Sequence, residues 1–92
     1  MLEVKTKNNI KILEIKLERP IEPSELQNIK LPEISGEILV ITGRSPIWLY
    51  CYLVHHYVHL FKVIATYDPK QNGAIIISSH TPKYRVGQIL SI

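Results

Sequence analysis

A buried β-strand that leads directly into the start of a helix is the feature that most constrains this chain. Residues 38–41 are four consecutive apolar residues, and the run stops at Thr42-Gly43. Ser45 is a favourable helix N-cap, and Pro46 suits the first helical position because a missing N–H costs nothing there. An uninterrupted apolar run indicates a strand covered on both faces, as in the centre of a parallel or mixed sheet. The pattern therefore predicts a strand–turn–helix unit at the centre of an α/β domain.

Size and composition indicate one small globular domain over residues 1–92, with 46% hydrophobic and 21% charged residues. The net charge of +3 suits an anionic ligand, but the chain lacks the dense Lys/Arg stripe of a duplex-DNA binder. A single cysteine, Cys51, allows no internal disulfide and no cysteine zinc cluster. The N-terminus lacks a secretion signal, and the longest apolar run, residues 47–54, cannot span a bilayer. We therefore expect a cytoplasmic protein that does not bind membranes.

The hydrophobic pattern predicts the element order β-β-α-β-α-β-β-β, a mixed sheet with two helices packed on it, at the border of the α/β and α+β classes. The predicted strands cover residues 4–6, 10–17, 37–42, 61–67, 74–79 and 88–91. The predicted helices cover residues 24–29, capped by Ser24, and residues 45–59, capped by Ser45. On the longer helix a stripe with spacings of four, three and four is expected to face the sheet: Ile47, Cys51, Val54 and Val58.

The turn Gly43-Arg44-Ser45-Pro46 is a candidate phosphate-binding site. The first N–H groups of a helix have no internal partners, the helix dipole favours anions there, and the planar guanidinium of Arg44 matches phosphate oxygens. The alternative is that the glycine only closes a tight connection and that Arg44 pairs with a carboxylate. Trp48, one turn into the helix, either stacks on a base or belongs to the core or a dimer contact.

Polar groups stand at the predicted ends of three further elements. Asp68 follows the strand 61–67, His80 follows the strand 74–79, and His59 ends the longer helix. Two imidazoles and a carboxylate suit a divalent metal such as Mn²⁺, or proton transfer during phosphodiester cleavage. Lys70 lies in an exposed turn, where it either contacts phosphate or is simply solvated. His55 and His59 also have metal-ligand spacing, with two solvated histidines as the alternative.

The ordered set of these motifs resembles a known family. The residues that carry the resemblance are Gly43-Arg44-Ser45-Pro46-Ile47-Trp48-Leu49, Cys51, His55, Tyr57, Tyr67-Asp68-Pro69, Gly73-Ala74 and Ser79-His80. Together they are similar to the small stand-alone CRISPR-associated ring nucleases of type III systems, first viewed as manganese-dependent deadenylating ribonucleases. That family is regarded as a distant relative of the CRISPR-associated Rossmann-fold sensors, so the resemblance implies the same kind of fold.

The resemblance implies a homodimer that binds and cleaves cyclic tetraadenylate, the second messenger of type III complexes, with Mn²⁺ as cofactor. It also implies an assembly in which two dimers sandwich one ring, so that groups of one dimer act on a ligand held by another. By the match of motifs, Gly43, Arg44, Ser45 and Pro46 form the ligand-binding turn. Asp68 matches the catalytic aspartate, and His80 matches the histidine that closes the next strand.

The chain departs from the family pattern at two positions. Val58 stands where the family usually has a catalytic histidine, and His59 follows it. Lys70 stands where an arginine is common, which keeps the charge but loses the bidentate fork. Three alternatives to ring cleavage therefore stay open: a sensor that captures the ring without cutting it, a 3′-end exoribonuclease acting on adenosine-rich RNA, and a purely structural subunit.

Overall fold

One mixed sheet of six strands forms the body of the molecule. The computed structural model describes residues 1–92. The strands are β1 (Leu2–Lys7), β2 (Ile10–Ile15), β3 (Gly36–Thr42), β4 (Phe61–Asp68), β5 (Gly73–Ser79) and β6 (Ile89–Leu90). One α-helix, α1 (Ile47–Tyr57), connects β3 to β4, and 3₁₀ segments cover Pro23–Asn28 and Pro69–Gln71. The predicted six strands and mixed sheet of an α/β fold are confirmed.

Strand directions define two distinct edges of the sheet. The spatial order equals the chain order; β2, β3 and β4 are mutually parallel, whereas β1, β5 and β6 pair antiparallel to their neighbours. We call the edge where β2, β3 and β4 end the turn edge, because the turn 43–46 lies there. We call the opposite edge, where β4 begins and β5 ends, the histidine edge, because His59 and His80 lie there.

One face of the sheet carries the helices and the larger part of the core. Leu13 lies beside Ile41, and Leu39 lies beside Ile64, on neighbouring strands. These four residues form one cluster with Leu49 and Leu53 of α1. Leu26 of the first 3₁₀ segment packs against the same cluster. Both crossover connections, β2 to β3 and β3 to β4, therefore return on this face.

The other face has a smaller core and no helix. Its buried residues come from β3, β4 and β5, and along β3 and β4 they alternate with those of the first face: Ile38, Val40, Val63, Ala65, Ala74 and Ile76. Tyr84 and Leu90, from the segment that follows β5, pack against them. This segment is held by the Ser79 hydroxyl, which donates to the Tyr84 carbonyl at 2.8 Å. The strand β3 is thus covered on both faces, as its apolar run predicts.

The first predicted helix differs from expectation in type and in its cap. Residues Pro23–Asn28 form a 3₁₀ helix, and its N-cap is Glu22, not Ser24. The Glu22 backbone N–H donates to the Glu25 carboxylate at 2.8 Å, which forms a capping box. The guanidinium of Arg19 donates two hydrogen bonds, of 2.7 and 3.2 Å, to the same carboxylate. This carboxylate, rather than a serine hydroxyl, fixes where the segment begins.

The main helix is shorter than predicted and presents a different stripe to the sheet. It begins at Ile47 after the N-cap Pro46, and the Ser45 hydroxyl donates to the Pro46 carbonyl at 3.0 Å instead of capping. Leu49, Leu53 and Tyr57 are fully buried, whereas Ile47 is 81% exposed. The expected sheet-facing stripe, and the expected cap by Ser45, were therefore wrong. The helix has two apolar stripes, and the bulkier one packs on the sheet.

The remaining boundaries differ from the predicted ones by a few residues. The strand β2 ends at Ile15 rather than at residue 17, and β6 has two residues rather than four. No helix has the length and apolar character that crossing a bilayer requires.

Candidate functional site

The turn edge gathers groups from two neighbouring strands. Because β3 and β4 are parallel neighbours, the segments that follow them leave the sheet at the same edge. The turn 43–46 follows β3, and Asp68, Pro69 and Lys70 lie at and beyond the end of β4. The structure thus places the predicted ligand-binding turn, Asp68 and Lys70 at one edge of the sheet.

Gly43 is required for two separate reasons. Its φ of +115° is one that L-residues rarely adopt, and a Cβ there would lie 2.3 Å from the carbonyl oxygen of Ile15. The hydroxyl of Tyr50 donates to the Gly43 carbonyl at 2.6 Å and holds the turn from the helix side. Burial raises the pKa of Tyr50 above its usual value, which keeps this donor protonated. Gly43 therefore closes a tight connection between β3 and α1, as the alternative interpretation of this glycine expects.

Arg44 and the helix start offer unused donors beside Gly43. Arg44 is exposed and forms no ion pair with any carboxylate of the chain, so its guanidinium is free to bind an anion. No side chain caps the N-terminus of α1, so the first N–H groups of the helix donate no bond to the Ser45 hydroxyl. Trp48 is partly buried against the main core cluster, the core role that was its alternative. These donors form a cationic corner at the end of a helix.

Asp68 and Lys70 belong to one short turn. One oxygen of the Asp68 carboxylate, Oδ1, accepts the backbone N–H of Lys70 at 3.0 Å and thereby caps the 3₁₀ segment Pro69–Gln71. The second oxygen makes no hydrogen bond within the chain. The Lys70 side chain is exposed and unpaired. Asp68 therefore has a structural role in the turn and still has an acceptor for a ligand.

The two predicted histidines meet at the opposite edge. The helix α1 ends at Tyr57, with Val58 as its C-cap, so His59 lies beyond the helix in the turn before β4. The backbone N–H of His80 donates to the Lys62 carbonyl at 2.8 Å, which places His80 beside the start of β4. The ring centres of His59 and His80 are 6.5 Å apart, in a cleft of about 380 Å³ that Lys62 also lines. The structure therefore places His59 beside His80, and His55 does not line this cleft.

The structure splits the predicted metal set of His59, Asp68 and His80 between the two edges. Asp68 and His80 stand at opposite ends of β4, because β5 runs antiparallel to it. Asp68 lies six positions after Lys62 along the strand, which at about 3.3 Å per residue is about 20 Å. No three His, Cys, Asp or Glu side chains of the chain form a group that could hold a metal. A site that uses all three residues therefore needs two molecules.

Two contributors to the site were missed from the sequence. Tyr50 fixes the carbonyl of Gly43 by a hydrogen bond. The sequence signal for this contact is a tyrosine seven residues after the turn glycine, a spacing within two helical turns. Lys62 adds a cation beside the histidines, and its place immediately after the start of β4 is the signal there.

Comparison with known proteins adds two findings. A family model described as CRISPR-associated protein (Cas_csx3) matches residues 14–91, which include both edges of the sheet. A relative described as an uncharacterized protein from Aquifex aeolicus (strain VF5) is 35% identical over 91 residues. That alignment covers 94% of this chain and 81% of the relative.

Proposed function

This chain belongs to the Cas_csx3 family of CRISPR-associated proteins, and we propose that it is a ring nuclease. In this proposal it binds cyclic tetraadenylate and linearises it, which ends type III antiviral signalling. The observation that carries the proposal is the free cationic corner at the turn edge, where Arg44 and the uncapped start of α1 lie one strand away from Asp68 and Lys70.

Binding of the ring rests on phosphate contacts at the turn edge. The Arg44 guanidinium can give two parallel bonds to one phosphate, and the N–H groups of the first turn of α1 add charge-favoured donors. Gly43 allows the backbone to pass close to β2 and leaves no side chain in the corner. Lys70, in the 3₁₀ segment that follows the neighbouring strand β4, supplies a further cation that can bind phosphate.

Cleavage in this proposal needs the histidine edge of a second molecule. Two dimers that stack edge to edge around one ring would bring His59 and His80 to the phosphates that Arg44 and Asp68 hold. An imidazole there can accept a proton from the attacking hydroxyl or give one to the leaving oxygen. The position of His59 beyond the helix supports its use in place of the histidine that Val58 replaces.

The residues fit Mn²⁺ only in part within one chain. The two imidazoles lie close enough to approach one ion after small side-chain rotations, and the free oxygen of Asp68 from an adjoining molecule would complete a mixed nitrogen and oxygen set. When bound there, Mn²⁺ would withdraw charge from the phosphate oxygens.

Capture of the ring without cleavage is a second candidate. The separation of Asp68 from the two histidines favours this candidate. A single molecule has the complete binding corner, but its Asp68 and its histidines lie at opposite edges of the sheet. Such a protein would lower the free messenger concentration by binding alone.

Incubation of purified protein with cyclic tetraadenylate and Mn²⁺ tests the proposal. We expect linear product from the wild type and at least about 100-fold less from Asp68→Asn, because this variant keeps the turn-capping acceptor and loses the charge. Glu33→Gln, at an exposed position outside both edges, is the matched control and should cleave normally.

Other outcomes separate the candidates. Tight binding with no product from the wild type would select capture without cleavage. Faster removal of adenosine from linear poly(A) than opening of the ring would select the exoribonuclease. Equal nucleotide affinity of the wild type and Arg44→Ala would contradict the binding corner and leave the structural subunit.

A further inference from the structure

A cavity of about 560 Å³, which we call the side cavity, lies between the end of β2 and the first 3₁₀ segment. Because β2 and β3 are parallel neighbours, the residues after β2 leave the sheet at the turn edge, as the turn 43–46 does. The backbone of Ile15, the last residue of β2, lies against Gly43, and the next residue, Lys16, lines the side cavity. The side cavity and the cationic corner therefore adjoin.

The walls of the side cavity are apolar. Leu17, Ile21 and Ile29 line it and also pack against the core cluster on the helix-bearing face of the sheet. Its volume lies within the range of about 300–1000 Å³ that is typical of small-molecule sites. A flat heteroaromatic ring can bury its faces on such walls and keep its polar edge for hydrogen bonds.

The charges around the side cavity balance one another. Arg19 is paired with Glu25 at 2.7 Å, and Lys16 is paired with a carboxylate of β1 at 3.1 Å. The two remaining charged side chains of the lining, Lys30 and Glu18, have opposite signs and form no ion pair. The side cavity thus suits a neutral group, whereas the adjoining corner offers a free cation for phosphate.

Asn28 gives the side cavity an amide that has no partner. It lines the side cavity from the end of the first 3₁₀ segment, and the side-chain hydrogen bonds of that segment all end on Glu25. An amide presents a donor and an acceptor side by side, which match N7 and the N6 amino group of adenine. Guanine is bound in the same way by an arginine fork, but Glu25 already engages that of Arg19.

We propose that the side cavity receives an adenine base of the nucleotide whose phosphate lies at Arg44, and that Asn28 selects adenine there. The proposal rests on the proposed function, because the phosphate at Arg44 is that of the ring. One nucleotide spans both places, since only the contact between Ile15 and Gly43 separates the side cavity from the turn. The apolar walls hold the faces of the base, and the Asn28 amide binds its edge.

Calorimetric titration with two rings tests the role of Asn28. The probes are cyclic tetraadenylate and the same ring built from 7-deazapurine, which lacks both N7 and the N6 amino group. We expect Asn28→Ala to weaken binding of cyclic tetraadenylate about 10- to 100-fold, the strength of one paired base edge. The same variant should bind the 7-deazapurine ring as the wild type does, because that ring has nothing for the amide to bind.

Gln27→Ala is the matched control. Gln27 is the exposed amide next to Asn28 and does not line the side cavity, so this variant should bind both rings as the wild type does. Equal affinity of the wild type and Asn28→Ala for cyclic tetraadenylate, or an equal loss for both rings, would overturn the proposal. If Arg44→Ala weakened binding and Asn28→Ala did not, the side cavity would be refuted and the binding corner would stand. Absence of ring binding by the wild type would refute the proposed function, and the role of the side cavity with it.

Discussion

Replacement of Gly43 by alanine should destabilise the protein far more than the same change at Gly87. Both glycines have positive φ, +115° and +94°, so each Gly→Ala change carries a backbone strain of about 1–2 kcal/mol. At Gly87 no atom lies within 4 Å of the added Cβ. At Gly43 the added Cβ lies 2.3 Å from the Ile15 carbonyl oxygen, which is backbone and cannot rotate away. Forcing β2 and the turn apart should cost a further 1–3 kcal/mol or so.

Urea unfolding followed by the fluorescence of Trp48, the single tryptophan, measures this difference. At one fixed protein concentration, we expect Gly43→Ala to lose about 2–5 kcal/mol of the free energy of unfolding and Gly87→Ala about 1–2 kcal/mol. We also expect Gly43→Ala to lose affinity for the ring at temperatures where it is still folded, because the corner has moved. Equal unfolding free energies for the two variants would refute the claim that contact with β2 fixes the turn.

Three further predictions concern the helix. Ser45→Ala should change the free energy of unfolding by less than about 0.5 kcal/mol in urea titrations, because the Ser45 hydroxyl bonds to Pro46 and caps nothing; a loss above 1 kcal/mol or so would show that it caps. Leu53→Ala should cost about 2–5 kcal/mol in the same titrations, since Leu53 is fully buried, and a smaller loss would contradict its burial. Burial raises the pKa of Tyr57, so this residue adds stability that is complete below pH 10 or so and is lost as pH rises through the raised pKa. Tyr57→Phe should lower the urea midpoint at pH 7, because it removes the hydrogen bond to the Pro32 carbonyl. Above about pH 10, the urea midpoint of this variant should fall less with pH than that of the wild type. An equal fall for both proteins would refute the titration of Tyr57 as its cause.

The sheet could be predicted because its signals are local. The apolar run of β3 and the break at Gly43 set the centre of the fold, and Asn72-Gly73 is a local turn signal between β4 and β5. Asn72 does adopt the left-handed conformation, with a φ of 51°, that such turns require. Turn chemistry and strand burial are properties of a few neighbouring residues, so they can be read from the sequence.

The helix face and the meeting of site residues could not be predicted in the same way. Ile47 and Leu49 begin two apolar stripes of similar spacing, and only the packing of α1 on β3 and β4 decides between them. The distance from Asp68 to His80 depends on the direction of β5, which reverses the order of strand ends. Side chains that follow consecutive strands share an edge only when those strands are parallel, and here β4 and β5 are antiparallel.

In the proposed function, one cleavage site is assembled from the turn edge of one molecule and the histidine edge of another. A mixture of two inactive variants, Arg44→Ala and His80→Ala, tests this assembly. Each variant alone should cleave cyclic tetraadenylate at least about 100-fold more slowly than the wild type. Their equimolar mixture should recover activity, because about one edge-to-edge contact in four would pair an intact turn with an intact histidine. A mixture no more active than the average of the two variants would contradict the claim.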